Sequence, residues 1–341
     1  MSTTMEPTAP AADATVSINY RKVVGRAIAD ELATDPTVVF LGEDVGAAGG
    51  AFKMTEGLQA RFGKRVRDTP IAEQAIVGMA VGAAIQGLRP VAEIMFADFA
   101  GVCFDQIVNS AAKYRFTSGG QTSVPLTICM ANGSGAGFGP QHSQMGENWF
   151  LNIPGLKIVT PGTVEDHYGL LRSSIRDDNP VLFFTHKNLF ALKGRVPAEP
   201  SDEALIVLGQ ASVVTVGSAV TVVANQQMRH RAVEAAQLLT EEGIDIEVID
   251  PRTLVPFDMD TVITSLSKTS RLLVVQEGPP DGGWGATLVS RVASQHFELL
   301  DAPPTLLASD NISVPFAASM ELASIPDAAR IATAVRQLVA Y

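Results

Sequence analysis

Basic runs and closely spaced cysteines are both missing from this sequence of 341 residues. No Lys/Arg-rich stretch occurs, and the formal net charge of -11 argues against a nucleic-acid partner. The two cysteines, Cys103 and Cys129, form no Cys-x-x-Cys or other metal-ligand spacing, which indicates a reducing compartment, the cytoplasm. Residues 1–16 lack the basic and apolar regions of a secretory signal, so they are predicted to be a flexible tail.

Charged residues are also scarce, at 18%, whereas hydrophobic residues reach 46% and can fill large cores. The longest apolar stretch, residues 71–88, is interrupted by Glu73, Gln74 and Gln86. A membrane span would not carry these polar residues, so the stretch predicts a helix buried between protein layers.

Helical and strand-like periodicities alternate from residue 20 onwards. Strands are predicted at 37–41, 91–95, 124–129, 156–159 and 181–185, with a helix near 144–152, and a second alternating series begins at 220. A linker at 191–207 separates the series, because periodicity breaks there around prolines, a glycine and charges. The pattern predicts an α/β protein with mainly parallel sheets flanked by helices, in domains at 17–190 and 208–341.

Sheets of this kind bind ligands beyond the carboxyl ends of their strands, and several unusual segments fall there. Glu73 lies in the segment DTPIAEQ (68–74), in the first turn of the apolar helix. Its ordinary interpretation is a carboxylate stabilised by the helix dipole. The alternative is a proton-exchanging group, because apolar neighbours would raise its pKa. Phe99, in the segment FADF (96–99), has the ordinary interpretation of core packing.

His142 follows a loop with glycines at 133, 135, 137 and 139. A histidine where a loop meets a helix is a candidate acid or base, although a structural role is equally open. The alternating glycines do not form the G-x-G-x-x-G dinucleotide pattern, and the sequence contains no P-loop, G-x-S-x-G or H-E-x-x-H motif. The segment DGGWG (281–285) predicts a simple turn, with a phosphate cradle as the alternative.

Together these segments resemble the beta chain of the decarboxylating component of 2-oxo acid dehydrogenase complexes, a family that includes the pyruvate, branched-chain 2-oxo acid and acetoin enzymes. The resemblance runs from about residue 17 to the C-terminus. The phrases that carry it are GEDV (42–45), DTPIAEQ (68–74), AEIMFADF (92–99), FDQI (104–107), QHSQ (141–144), IPGLK (153–157), RDDNP (176–180), DPRT (250–253) and LDAP (300–303).

The resemblance implies a pyrimidine-binding domain followed by a transketolase C-terminal domain, with thiamine diphosphate as the cofactor. Glu73 matches the carboxyl that bonds the aminopyrimidine of the cofactor and promotes formation of its nucleophilic form. Phe99 matches the aromatic residue against that ring, whereas Ile71 and Glu43 match neighbours of the cofactor. His142 matches an active-site histidine that handles the substrate or the lipoyl acceptor. A potassium site in some members maps onto Leu126, Thr127, Ser174, Asp177 and Asn179.

One expected motif of thiamine enzymes is missing. No Gly-Asp-Gly occurs, although such a segment holds Mg²⁺ and the diphosphate in this class of enzyme. The resemblance therefore implies that an alpha subunit supplies the magnesium half of the site, in a heterotetramer of two alpha and two beta chains. A lipoylated acyltransferase core is the further partner implied. Gly78 and Gly82 would allow close approach of a second helix.

Relatives often carry arginine where this chain has Cys129, and the loss of an arginine near a substrate carboxylate would alter recognition. The substrate therefore stays open among pyruvate, branched-chain 2-oxo acids and acetoin. Two other functions stay open as well. One is a half-length transketolase or deoxyxylulose-phosphate synthase subunit, and the other is a non-catalytic scaffold that docks onto the acyltransferase core.

Overall fold

The computed structural model describes residues 14–341, so most of the predicted tail lies outside the described residues. The tail was predicted to reach residue 16, but a strand begins at Thr15. The elements of the first half are β1 Thr15–Asn19, α1 Tyr20–Thr34, β2 Val38–Gly42, α2 Leu58–Phe62, β3 Val66–Asp68, α3 Glu73–Ile85, β4 Arg89–Phe96, α4 Ala112–Thr117, β5 Thr127–Asn132, β6 Lys157–Val159, α5 Val164–Arg176, β7 Val181–His186 and β8 Lys193–Pro197.

The second half repeats the alternation of strands and helices. Its elements are β9 Ser212–Thr215, β10 Val220–Ala224, α6 Gln226–Thr240, β11 Ile246–Asp250, β12 Thr253–Val255, α7 Met259–Thr269, β13 Leu272–Val275, α8 Trp284–Gln295, β14 Thr305–Leu307, α9 Ala318–Ser324 and α10 Ala328–Ala340. None of the helices described within residues 14–341 is long and apolar enough to cross a bilayer.

Two mainly parallel sheets form the framework, which confirms the predicted fold class. The first has seven strands in the order β12-β6-β7-β5-β4-β2-β3, and only β12 runs antiparallel to its neighbour. The second has five strands in the order β14-β13-β10-β11-β9, with β9 antiparallel. Strands β5, β7, β10 and β11 are buried along their whole length, as expected where helices cover both faces of a sheet.

A small antiparallel sheet was not predicted. Strand β8 lies inside the predicted linker, and it pairs with β1 over five residues, from Thr15 opposite Pro197 to Asn19 opposite Lys193. Backbone hydrogen bonds from Tyr20 to Leu192 and from Arg21 to Phe190 continue this contact into the start of α1. The linker is therefore ordered where it passes the first half.

Several predicted elements differ in kind or extent. The predicted helix at 144–152 is a short 3₁₀ turn, Gly146–Phe150, and the strand predicted at 124–129 is displaced to Thr127–Asn132. Helix α3 begins at Glu73 rather than Ile71, because the backbone of Ala72, with φ −160° and ψ 79°, is not helical. This helix buries only one face, and Gly78, Met79 and Gly82 on the other face are exposed.

The carboxyl ends of β2, β4, β5 and β7 meet at one edge of the seven-stranded sheet, because these neighbouring strands are parallel. Glu43 lies in the segment after β2, Phe99 in that after β4 and Lys187 in that after β7, and the segment after β5 is the glycine-rich loop. This edge, here called the carboxyl edge, is the place where doubly wound sheets hold their ligands.

Candidate active site

The carboxylates expected at the cofactor lie at the carboxyl edge. Glu73 begins α3 and is half-buried, as is Glu43 just after β2. Burial, followed by the negative charges of Asp44 and Glu73, raises the pKa of the Glu43 carboxyl. The two glutamates are therefore close enough for their negative charges to repel each other. The dry pocket expected around Glu73 is not supplied by this chain alone, because the adjacent Ile71 is 75% exposed.

A cluster of aromatic rings at the same carboxyl edge packs edge to face with His142. The centroid of the His142 ring lies 4.6 Å from that of Phe96 and 5.4 Å from that of Phe99. Phe138 of the glycine-rich loop lies 5.8 Å from Phe96, and Phe52 lies 5.4 Å from it. The structure thus brings His142 and Phe99, which are 43 positions apart in the sequence, into one cluster.

The glycine-rich loop adopts a backbone that explains its alternating sequence. Gly133, Gly135, Gly137 and Gly139 all have φ between 72° and 89°, the left-handed region that L side chains rarely enter. A Cβ on Gly133 would lie 2.3 Å from the His186 ring, and a Cβ on Gly139 would lie 2.3 Å from the Phe316 ring. Glycine is therefore required here by conformation and by space.

Two carboxylates from the second half of the chain hold this loop. Glu277 Oε1 accepts from the backbone N–H and the hydroxyl of Ser134, at 2.6 and 2.7 Å, and its Oε2 bonds His186 Nε2 at 2.7 Å. Glu321 accepts from the N–H groups of Gly135 and Gly137, at 2.7 and 3.0 Å. The sequence analysis missed both residues, because neither lies in a motif and both reach the loop only through tertiary packing.

Lys187 was missed as well. It follows β7 directly, is 4% exposed, and its Nζ has no hydrogen-bond partner among residues 14–341. The ammonium lies 5.6 Å from the centroid of the Phe96 ring and 6.0 Å from that of Phe138. Burial lowers the pKa of Lys187 to about 8, against the opposing negative charges of Asp98, Glu277 and Glu321.

The predicted potassium residues lie at the opposite, amino-terminal edge of the same sheet. Leu126 directly precedes β5 and Thr127 begins it, whereas Ser174 to Asn179 form the end of α5 and the turn after it. The Leu126 carbonyl accepts from Val181 N–H, and the Ser174 carbonyl accepts from Asp177 N–H. The Asp177 carboxylate bonds Lys157 and Asn179.

Carbonyl and carboxylate oxygens are the right donors for a hard cation. Each of the two carbonyls keeps a second lone pair, so these oxygens can still accept another contact. The Lys157 ammonium already partly neutralises Asp177, however, so this edge does not depend on an added ion for its charge.

Cys129 lies elsewhere than the sequence suggested. It is in the middle of β5, 4% exposed, beside Glu93 of β4 and packed against the core beneath α1 and α5. Burial raises the pKa of Glu93 to about 7, and its Oε2 has no partner among the described residues. The position is a core position, so the structure does not support the predicted effect of Cys129 on recognition of a substrate carboxylate.

Among residues 14–341, no cluster of three or more His, Cys, Asp or Glu side chains could hold a metal ion. The segment at 281–285 does not offer a free phosphate cradle either. The N–H of Trp284 donates to Asn148 Oδ1, and that of Gly285 donates to Gln276 Oε1. Two of the N–H groups that a phosphate could use in this segment are thus already occupied.

Comparison with known proteins assigns each half of the chain to a known domain family. Residues 16–193 match the family model for the transketolase pyrimidine binding domain, and residues 209–331 match that for the transketolase C-terminal domain. The acetoin:2,6-dichlorophenolindophenol oxidoreductase subunit beta of Cupriavidus necator is 44% identical over 330 residues, covering 94% of this chain and 97% of the relative. The pyruvate dehydrogenase E1 component subunit beta of Rickettsia felis is 41% identical over 329 residues, covering 96% and 99%.

Among solved structures, a split gene transketolase described as an inactive beta4 tetramer superposes with a TM-score of 0.78 at 23% identity, over 95% of this chain and 99% of that chain. A transketolase from Pichia stipitis gives a TM-score of 0.70 at 17% identity, over 98% of this chain and 47% of that chain. These two likenesses concern the fold alone.

Proposed function

The chain belongs to the family of beta subunits of the thiamine-diphosphate-dependent E1 component of 2-oxo acid and acetoin dehydrogenases, and on that premise we propose that it cleaves acetoin or pyruvate together with an alpha subunit. Membership implies thiamine diphosphate as the cofactor, and a beta subunit implies an alpha partner. The acyl group then passes to a lipoyl group on an acyltransferase core. The observation that carries the proposal is that the carboxyl edge holds two pairs of the expected residues, Glu43 with Glu73 and Phe99 with His142.

The residues present fit the aminopyrimidine half of the cofactor. Phe99 offers a ring face for stacking, Ile71 an exposed apolar side chain, and Glu73 a carboxyl that can share a proton with a ring nitrogen. When bound, thiamine diphosphate supplies the thiazolium that stabilises negative charge on the carbonyl carbon of the substrate. The residues of the chain hold and orient that cofactor, and the carboxyl of Glu73 sets its protonation.

His142 is proposed to handle the substrate or the lipoyl acceptor. Its ring is half-buried against Phe96 and Phe99, and its two ring nitrogens can donate or accept a hydrogen bond. The rings of Phe99 and Phe138 both pack on Phe96, and the apolar surface that they form suits a short acyl chain. Acetoin and pyruvate, the substrates in the names of the two relatives, both supply such a chain.

The alpha subunit is proposed to cover the exposed side of α3. Gly78, Met79 and Gly82 form an exposed apolar face beside Glu73, and a Cβ on Gly82 would meet nothing within 4 Å. A helix from another chain could pack closely on such a face. That chain would bring Mg²⁺ and the diphosphate site, giving a heterotetramer of two alpha and two beta chains. The proposal also places the protein in the reducing cytoplasm. It further includes a potassium ion bound at Leu126, Thr127, Ser174, Asp177 and Asn179.

The test is a substrate panel with the chain co-expressed with its alpha subunit. Dye reduction is measured with acetoin, pyruvate and 3-methyl-2-oxobutanoate, and the beta chain without alpha is the control. We expect kcat/KM for acetoin or pyruvate to exceed that for the branched acid by at least about tenfold, because an extra methyl group that does not fit a pocket usually lowers kcat/KM by about this factor.

Two other outcomes would each replace the proposal. Ketol transfer between sugar phosphates without acetoin- or oxo-acid-dependent dye reduction would establish a transketolase-type subunit. An assembled complex that neither turns over any of these substrates nor binds thiamine diphosphate would establish a docking scaffold.

A further inference from the structure

The glycine-rich loop, residues 133–139, presents a row of backbone N–H groups that no strand or helix satisfies. Its glycines sit at positive φ, so the amides of Ser134, Gly135 and Gly137 do not follow a regular ladder. A concave row of such amides attracts negative charge. Here the second half of the same chain supplies that charge.

Glu321 accepts two of these N–H groups and Glu277 accepts a third, together with the Ser134 hydroxyl. Both glutamates are buried, at 1% and 6% exposure. Burial alone would raise the pKa of Glu277, but the His186 ring and the donors of Ser134 outweigh it and hold the pKa below its usual value. Hydrogen bonds to an ionised acceptor are about twice as strong as neutral ones, which makes the loop stiff.

His142 stands three residues after this loop, between two anchors. On the loop side, the Phe316 ring packs against Gly139, and Gly139 O accepts from His142 N–H at 3.4 Å. On the other side, Asp98 Oδ1 accepts from the backbone and the side-chain amide of Gln144, at 3.2 and 2.8 Å. These contacts hold the backbone on both sides of His142, whose ring lies against Phe96 and Phe99.

Lys187 lies among these carboxylates. Its buried Nζ is attracted by the charges of Asp98, Glu277 and Glu321 and rests over the Phe96 and Phe138 rings. The single positive charge of Lys187 thus partly offsets the negative charges of acids from both halves of the chain, although its ammonium donates no hydrogen bond to any of them.

We propose that the transketolase C-terminal half acts in catalysis by positioning His142, and that Glu321 and Glu277 are the positioning residues. The inference rests on the role proposed for His142. The second half thereby has a task at the active site besides any role in assembly.

Glu321→Gln in the assembled alpha–beta enzyme tests the proposal, because glutamine keeps the shape but turns an amide N–H₂ towards a loop N–H. We expect kcat/KM for acetoin or pyruvate to fall by about 10- to 100-fold, the usual cost of a misplaced catalytic group. Hydrogen exchange of residues 133–144 should accelerate by about tenfold or more, without acceleration elsewhere in the second half. In a His142→Ala background, Glu321→Gln should change the rate less than about twofold, because coupled residues are not additive.

Glu242→Gln is the matched control, since Glu242 is in the same half, half-exposed, and paired only with Arg336. Its kinetics and the exchange of the loop should be unchanged. Ser134→Ala removes one donor without altering the backbone, so it gives a second variant should Glu321→Gln fail to fold. Its loop exchange should also accelerate, to a smaller extent.

Equal losses from Glu321→Gln with and without His142 would overturn the proposal, as would unaltered exchange of the loop. Failure of the underlying function looks different. In that case His142→Ala alone keeps full activity, while the exchange measurement still reports whether the carboxylates hold the loop.

Discussion

The two edges of the seven-stranded sheet are built from similar residue types but pair them differently. At the amino-terminal edge the polar groups bond one another. Arg89 donates to the carbonyls of Ile175 and Asp177, Lys157 bonds the Asp177 carboxylate, and Arg115 donates to Asn179. Each charge there has an opposite charge or a dipole beside it, which is the arrangement expected of a region that stabilises the fold.

At the carboxyl edge the important groups are incompletely satisfied. Glu43 and Glu73 are carboxylates near each other, and the Lys187 ammonium is buried without a hydrogen-bond partner among residues 14–341. Ile71 and Met79 expose apolar surface beside them. In the function proposed above, a cofactor and an alpha subunit complete this edge. The difference teaches that pairing, more than residue type, separates the structural edge from the functional one.

The largest effect should come from Glu73→Gln at the carboxyl edge. Glutamine cannot share a proton with the cofactor, so kcat of the assembled enzyme should fall by at least about 100-fold, the usual contribution of a positioned acid or base. The melting temperature should stay within about 2 °C, because a half-buried helix-start carboxylate contributes only about 0.3–1 kcal/mol. Glu203→Gln is the control, because Glu203 is exposed in the short 3₁₀ turn Asp202–Ala204 of the linker. Undiminished turnover by Glu73→Gln would remove Glu73 from the mechanism.

The reverse pattern is expected for Asp177→Asn at the amino-terminal edge. Burial alone would raise the pKa of Asp177, but hydrogen bonds from Lys157 and Asn179 hold it below its usual value. Loss of the charge should cost about 1–2 kcal/mol near pH 7, a drop of about 2–5 °C in melting temperature, with kcat unchanged.

The pH dependence of that loss follows from its sign. A carboxyl with a lowered folded pKa stabilises the fold above its unfolded pKa, and the stabilisation disappears as pH falls through the folded value. The difference in melting temperature between the wild type and Asp177→Asn should therefore be full at about pH 6–7 and shrink below about pH 4. A kcat that falls with the melting temperature at every pH would show that the two edges are not separable.

Sequence reasoning recovered the parts of the fold that carry local signals. The second predicted series begins at residue 220, where the structure has the strand Val220–Ala224, because four consecutive β-prone residues occur at 220–223. The pairing of β1 with β8 was missed, because each strand is short and its partner lies far away in the sequence. Only tertiary structure distinguishes such strands from a tail and a linker.

The same division applies to the site. Glu73, Phe99 and His142 lie in recognisable phrases, and the fold brings the last two together. Glu277 and Glu321 act on the loop from 143 to 186 positions away, so no window of sequence contains both partners. Cys129 shows the opposite difficulty. The arginine that relatives often carry at this position suggested a role in substrate recognition, whereas the Cys129 side chain is buried in the core.

The smallest predicted effect concerns potassium. If the oxygens of Leu126, Thr127, Ser174, Asp177 and Asn179 hold K⁺, an ion at about ten times its Kd should stabilise the chain by about 1.4 kcal/mol. The melting temperature in about 100 mM KCl should then exceed that in the same concentration of NaCl by about 2–4 °C, and Asp177→Asn should abolish the difference. Choline chloride at equal ionic strength controls for screening. Equal melting temperatures in all three salts would mean that Lys157 alone balances Asp177, and the amino-terminal edge would then need no ion.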